Sequence, residues 1–224
     1  MQITPDTLSR IALRGADANM TAAVRGLMRY PAGLDLPHRL IHFLGQTCHE
    51  SEGWRFDHEI WGPTAAQTGY EGRLDLGNTH QGDGFKFRGR GAIQITGGAN
   101  YRAFMVWARG IDPMAPDFTL APDMVLSDPW EGLAPIWYWQ SRDINAAADR
   151  GDVVEVTHRI NGGTNGLAMR MQHTAQAAAV LYGVRSVREF QTAHALTPDG
   201  VAGPLTLGVA QHVMAAMPPI TFSL

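Results

Sequence analysis

A single cysteine, Cys48, stands among 224 residues, too few for a disulfide framework or a site of several thiolates. It falls in an apolar run, where a small buried thiol is the expected role. No charge excess exists either: 18 Lys and Arg against 21 Asp and Glu give a net charge of -3. That lacks the basic footprint of a nucleic-acid binder and offers no attraction to a polyanion. No window approaches the roughly 18 consecutive apolar residues of a membrane span. The first residues, MQITPDTLSRIALRGADA, contain no continuous apolar core of a signal peptide. Nine histidines suggest a metal, but HExxH is absent because Gly53 stands where its second histidine would be. No metal or other cofactor is therefore expected, and His49 and His58 are read as hydrogen-bonding structural groups.

What is present is 45% apolar residue content and helical periodicity, which together predict a mainly α domain. Thr4-Pro5 reads as a helix start, by hydroxyl capping and a proline at the first helical position. Further helices are predicted over about 20–29, 38–51, 152–160 and 167–182, the last stopped by Gly183. Another begins after Ser127-Asp128-Pro129, with Pro135 predicting a kink or break inside it. Residues from Trp54 to about Ile95 lack periodicity, yet their aromatic content argues for a functional loop rather than disorder. Trp54, Trp61 and Tyr70 are candidates to stack on a ligand, with core packing the commoner role of such residues. A soft boundary near residue 184 precedes a small helix–turn–helix unit. The division is thus 1–183 as the main domain and 184–224 as an appendage.

Glu50 is the outstanding chemical candidate. On the third helix, Leu40, Phe43, Leu44 and Thr47 form one stripe, and Glu50 lies on its edge at the helix end. A carboxyl in semi-apolar surroundings favours its protonated form, as a general acid requires. Hydrolysis of a glycosidic bond takes a second carboxyl group, and Glu52, Asp57, Glu59 and Glu71 follow closely. Helical geometry aims Glu52 away from Glu50. Spacing alone does not separate Glu59 from Glu71.

Three blocks in order, HFLGQTCHES, GYEGRLDLGNTHQGDGFKFRGRGAIQITGGANY and RINGGTNG, resemble glycoside hydrolase family 19. That family contains chitinases and related bacteriophage endolysins, and the likeness spans roughly residues 36–182. It implies a lysozyme-like helical domain with a deep substrate cleft and long loops. It also implies that Glu50, in the HES motif, is the acid. Glu59, nine residues later, matches the phage-type position of the second carboxylate, and Glu71 that of plant-type chitinases. Gln94 and Thr96 match positions that hold sugar and the attacking water. Asn100 and Tyr101 match a substrate-binding pair, and Asn161 and Arg170 match cleft residues that bind sugar or orient the carboxylates. The resemblance implies an inverting mechanism, for which the carboxyl groups stand about 6.5–9.5 Å apart. Thr164 and Asn165 replace the glutamate that plant-type members carry after NGG, a departure that agrees with the phage type.

The segment SVREFQTAHALTPDGVAGPLTLGVAQ resembles the second half of a peptidoglycan-binding repeat, though shorter than the usual module. The expectation is therefore an endolysin that cuts β-1,4 bonds of bacterial peptidoglycan. The alternatives are a chitinase acting on N-acetylglucosamine polymers and a non-catalytic wall-binding protein. Such an endolysin would be a monomer made in the host cytoplasm that reaches the periplasmic wall after release by a holin. It would bind glycan strands, not nucleic acid, and would not insert into a membrane.

Overall fold

The computed structural model of the chain describes residues 1–59 and 68–224. Eleven α-helices dominate the described residues, with one two-stranded parallel sheet that pairs β1 (Gln2–Ile3) with β2 (Thr221–Phe222). Trp61, a candidate for stacking, lies outside the described residues.

Helix α1 (Pro5–Ala12) starts as the sequence predicts. Thr4 and Thr7 exchange side-chain-to-backbone hydrogen bonds in a capping box, with Pro5 in the first turn. Asp17 caps α2 (Ala18–Arg29) by accepting from the Met20 N–H. Helix α3 (Pro37–Glu50) is buried continuously from Leu40 to Cys48, so it is the core helix rather than a one-sided amphipathic one. Such a helix needs close neighbours on every side. Gly45 provides one contact, since a Cβ there would overlap Thr174 of α9 (Leu167–Tyr182). Gly183 then ends α9 in the left-handed conformation, as predicted, at φ 100°.

Between 68 and 97 the chain is irregular but ordered around a short helix, α4 (Asp83–Lys86), and single bridges His58–Arg90 and Arg90–Ile95. Helix α5 (Gly98–Ile111) follows, a helix the sequence did not advertise, because it opens at Gly97 with no side-chain cap. Asn78 fixes this junction, accepting from the Gly98 N–H and donating to the Tyr70 carbonyl. Helix α6 (Trp130–Ser141) runs without a break through Pro135, where a kink or break was predicted. It lies so close to α2 that a methyl on Gly132 would overlap the Ala22 carbonyl. Tight packing on both sides holds α6 helical where the proline removes a hydrogen bond.

Two short helices, α7 (Ile144–Asp149) and α8 (Val153–Asn161), lead to α9. The helices after residue 184, α10 (Val187–Ala193) and α11 (Pro204–Ala215), are present as expected. They have no core of their own among the described residues. Phe190, Ala210, Met214 and Ile220 join the main hydrophobic cluster, and α11 packs on α3 and α9.

Candidate active site

Glu50 is the last residue of α3, with its side chain 21% exposed. Its Oε1 is buried and lies 2.5 Å from Arg170 Nη2, an ion pair between the ends of α3 and α9. Arg170 is itself 4% exposed and fixed twice more, donating to Gln46 Oε1 at 2.6 Å and to the Asn165 carbonyl at 3.0 Å. Gln46, one turn before Glu50, passes the order on by donating to Thr157 of α8. The Arg170 guanidinium is thus held by a carboxylate, a carboxamide and a carbonyl, which is the condition for keeping such a group inside a protein. The surroundings of Glu50 are thus charged, where the sequence suggested semi-apolar ones.

Asn161 completes this side. Its amide donates to the same Asn165 carbonyl, and its oxygen accepts from the Gly163 N–H. It therefore braces the loop that holds Arg170.

Glu50 opens onto a groove of about 280 Å³ lined also by Glu52, Phe56, His58 and Gln94. Helical geometry had aimed Glu52 elsewhere. Because α3 ends at Glu50 and Glu52 adopts φ 50°, helical periodicity stops applying, and both glutamates line one groove. His58 Nδ1 sits 2.6 Å from Asp57 Oδ1.

Gln94 belongs to a folded-back pair of segments that forms one wall. The Glu59 N–H donates to the Gly89 carbonyl, and the Gly89 N–H returns a bond to Glu59 Oε2 at 3.2 Å. Tyr70 donates to Glu59 Oε1 at 3.4 Å. Burial, then the charge and hydrogen bond of Glu59, raise the Tyr70 hydroxyl above its ordinary range. Gln94 packs its carboxamide directly over Gly89, leaving no room there for a Cβ. Glu59 is thereby joined to the groove through Gly89 and Gln94. Thr96 donates to the Gln94 carbonyl and Asn100 to the Thr96 carbonyl, so these two hold the turn that presents Gln94.

Two expected ligand contacts lie elsewhere. Tyr101 is wholly buried, its hydroxyl donating to the Arg88 carbonyl and accepting from Arg90, with burial pushing it up to about 12. It backs the wall and presents no surface to a sugar. Glu71 accepts from the Gly82 and Gly84 N–H groups at the start of α4, a structural capping bond at each oxygen. Its neighbour Arg73 pairs with Asp75. Trp54 is buried and packs in the core.

Sequence reasoning missed Gln46, Arg90, Tyr138 and Arg142. Arg90 is fully buried, donating to Asp123, Tyr101 and the Lys86 and Arg88 carbonyls, and so pins the wall. Tyr138 is close enough to Glu50 to feel its charge. Burial raises the Tyr138 hydroxyl, Arg142 lowers it and Glu50 raises it further. Among the described residues no group of three or more His, Cys, Asp or Glu is arranged to hold a metal, and no helix is long and apolar enough to cross a membrane.

Chitinase C from Streptomyces griseus HUT6037 superposes with a TM-score of 0.59 at 19% identity, covering 81% of this chain and 77% of that one. A bacterial family 19 chitinase gives 0.61 at 21% identity, covering 80% of this chain and 94% of that one. The fold is that of the family 19 chitinases. In sequence, 102 residues are 42% identical to a glycosyl hydrolase family 19 domain-containing protein of Haemophilus influenzae (strain Rd). That stretch is 45% of this chain and 46% of the relative, so the chain spans about half the length of the relative it matches. No family model matches the chain.

Proposed function

We propose that this chain is a family 19 glycoside hydrolase that cuts β-1,4 bonds of bacterial peptidoglycan with inversion, in the role of an endolysin. The observation that carries the reading is the Glu50–Arg170 pair at the edge of an open groove that Gln94 also lines, with Glu59 hydrogen-bonded to Gly89, against which Gln94 packs. Arg170 fixes Oε1 of Glu50, leaving the rest of the carboxyl to meet the glycosidic oxygen. Glu50 gives its proton to that oxygen as the bond from the anomeric carbon breaks. A water on the opposite ring face, positioned by Gln94 and Thr96, loses a proton to Glu59 and bonds to the anomeric carbon. Solvent in the open groove restores both protonation states.

The blocks shared with phage-type members, Glu59 at the phage spacing and the C-terminal segment favour peptidoglycan. That segment carries a recess of about 240 Å³ lined by residues including Gln191, Asp199 and Pro204, a surface for wall contact. The protein would act as a monomer at the periplasmic wall after release through a holin. Chitin hydrolysis is the second reading, favoured because the similar solved structures are chitinases.

Purified protein should clear outer-membrane-permeabilised bacteria, and Glu50→Gln should not. Mass spectrometry of the products assigns the bond: a reducing muramic end marks a muramidase, a reducing glucosamine end a glucosaminidase. An anhydro end marks a transglycosylase and overturns the hydrolytic mechanism. Cleavage of chitin with none of peptidoglycan moves the assignment to the second reading.

A further inference from the structure

Residues 56–58 border the groove between the end of α3 and the wall that carries Gln94, and the segment is tied at both ends. The Phe56 N–H donates to the Ser51 carbonyl at 3.1 Å, just past the last turn of α3. His58 bridges Arg90, with the Gly91 N–H donating to the Asp57 carbonyl and the Glu59 N–H to the Gly89 carbonyl. Exposure alternates along this short stretch. Phe56 and His58 are exposed and both line the groove with Glu50, whereas Asp57 between them is half-buried and borders the small cavity of Glu131. Trp54, a stacking candidate by sequence, is buried, so Phe56 is the aromatic that the groove itself presents among the described residues.

The His58 ring is fixed by one nitrogen and open at the other. Its Nδ1 lies 2.6 Å from Asp57 Oδ1, and because a carboxylate only accepts, Nδ1 carries the proton. Nε2 has no hydrogen-bond partner among the described residues. Asp57 thus sets the tautomer and orientation of the imidazole and leaves Nε2 for a group brought by the ligand. A hydroxyl suits Nε2 in either charge state, since it donates to a neutral ring and accepts from a protonated one. Beside it, Phe56 offers a flat apolar face. A pyranose has the matching pair of features, a face of C–H bonds and a rim of hydroxyls.

We propose that Phe56 and His58 form a sugar-binding subsite of the Glu50 groove, with Phe56 against the face of one pyranose ring and His58 Nε2 holding a hydroxyl of that ring. The site reads the sugar and not its substituents, so it serves chitin and peptidoglycan strands alike. The proposal rests on the hydrolase reading above and deepens it by naming residues that hold the strand beside the acid. A pair of Asp57 and His58 that only locked the turn would leave Nε2 indifferent to ligand.

The full-length Glu50→Gln variant, which keeps the groove but not the proton chemistry, is titrated with tetrasaccharides of chitin and of peptidoglycan while side-chain nitrogen signals are followed by NMR. The His58 Nε2 signal should move together with the Gln94 amide, and Nδ1 should hold its place. In the otherwise wild-type chain, His58→Ala should lower kcat/KM roughly fivefold, mainly through KM, the size of one neutral hydrogen bond. His58→Gln, which keeps an acceptor, should recover part of that loss. Phe56→Leu keeps the apolar bulk, loses the flat face and should raise KM roughly two- to tenfold. An unchanged KM in His58→Ala or Phe56→Leu, or a ligand that moves Gln94 and leaves Nε2 still, overturns the inference with the hydrolase reading intact. Wild type that cuts neither glycan overturns both. Should His58→Ala fail to fold, His58→Gln and the titration of the unsubstituted ring decide.

Discussion

Arg170 Nη2 meets Glu50 Oε1 at 2.5 Å, joining the end of α3 to the start of α9 at the edge of the groove. An arginine so placed orients a carboxyl group as no water-exposed lysine can, because its fork also engages Gln46 and the Asn165 carbonyl.

Glu50→Gln keeps the shape of the side chain and removes its proton chemistry. Turnover should fall by about three orders of magnitude, the scale of general acid catalysis. Glu59→Gln should fall comparably if it is the base, with Glu71→Gln and Glu52→Gln within about tenfold of wild type. Measured kcat values for the four variants check the assignment, and a larger loss at Glu52 or Glu71 than at Glu59 would transfer the role.

Arg170→Lys retains a cation but cannot reach Glu50, Gln46 and Asn165 together. We expect kcat to drop about a hundredfold or more, with KM moving less. Similar kcat for Arg170→Lys and wild type would show that the fork geometry is irrelevant.

Glu131 gives a pH signature away from the groove. It sits on α6 beside Asn19, Trp54, Phe56 and Asp57, where burial first, then the charges of Asp57, Asp17 and Asp128, raise its carboxyl to about 7. Arg14 offsets Asp17, and Arg25 offsets Asp128. A carboxyl raised on folding stabilises below its unfolded value, near 4.5, and that contribution is lost as pH rises through about 7. The swing is on the order of 2 kcal/mol after allowance for partial exposure. Glu131→Gln should therefore melt higher than wild type at about pH 8 and lose that advantage near about pH 4.5. A melting-temperature difference that ignores pH would remove Glu131 as the cause.

Gly132→Ala places a methyl into the Ala22 carbonyl across the α2–α6 contact. Backbone cannot yield as a side chain does, so a loss of about 3 kcal/mol or more is expected, seen as a lower denaturant midpoint. Gly110→Ala meets nothing within 4 Å and serves as the control.

Cys48 is 1% exposed, with burial pushing its thiol up to about 12. Alkylation by iodoacetamide at neutral pH should be negligible in the folded protein and complete in denaturant. Rapid labelling of the native chain would contradict the buried setting.

The sequence was most legible where one residue dictates a local result. Thr4-Pro5 starts a helix, Gly183 ends one, and Cys48 is buried, as local chemistry requires. It was least legible where the outcome depends on residues distant in the chain. Pro135 forecast a kink or break, and whether the helix continues past it depends on packing against α2, where it does continue. Glu52 was aimed by a periodicity that ends two residues too early for it. The Arg170–Glu50 pair is invisible in sequence as well, because it joins residues 120 positions apart in the chain.

The placement of Phe190, Ala210 and Met214 in the same interior as α3 limits how this chain can be rearranged. The last forty residues cannot be swapped like a cartridge, since removing them would strip cover from the very helix whose tip carries Glu50. Recombination between relatives would have to exchange both sides of that seam together.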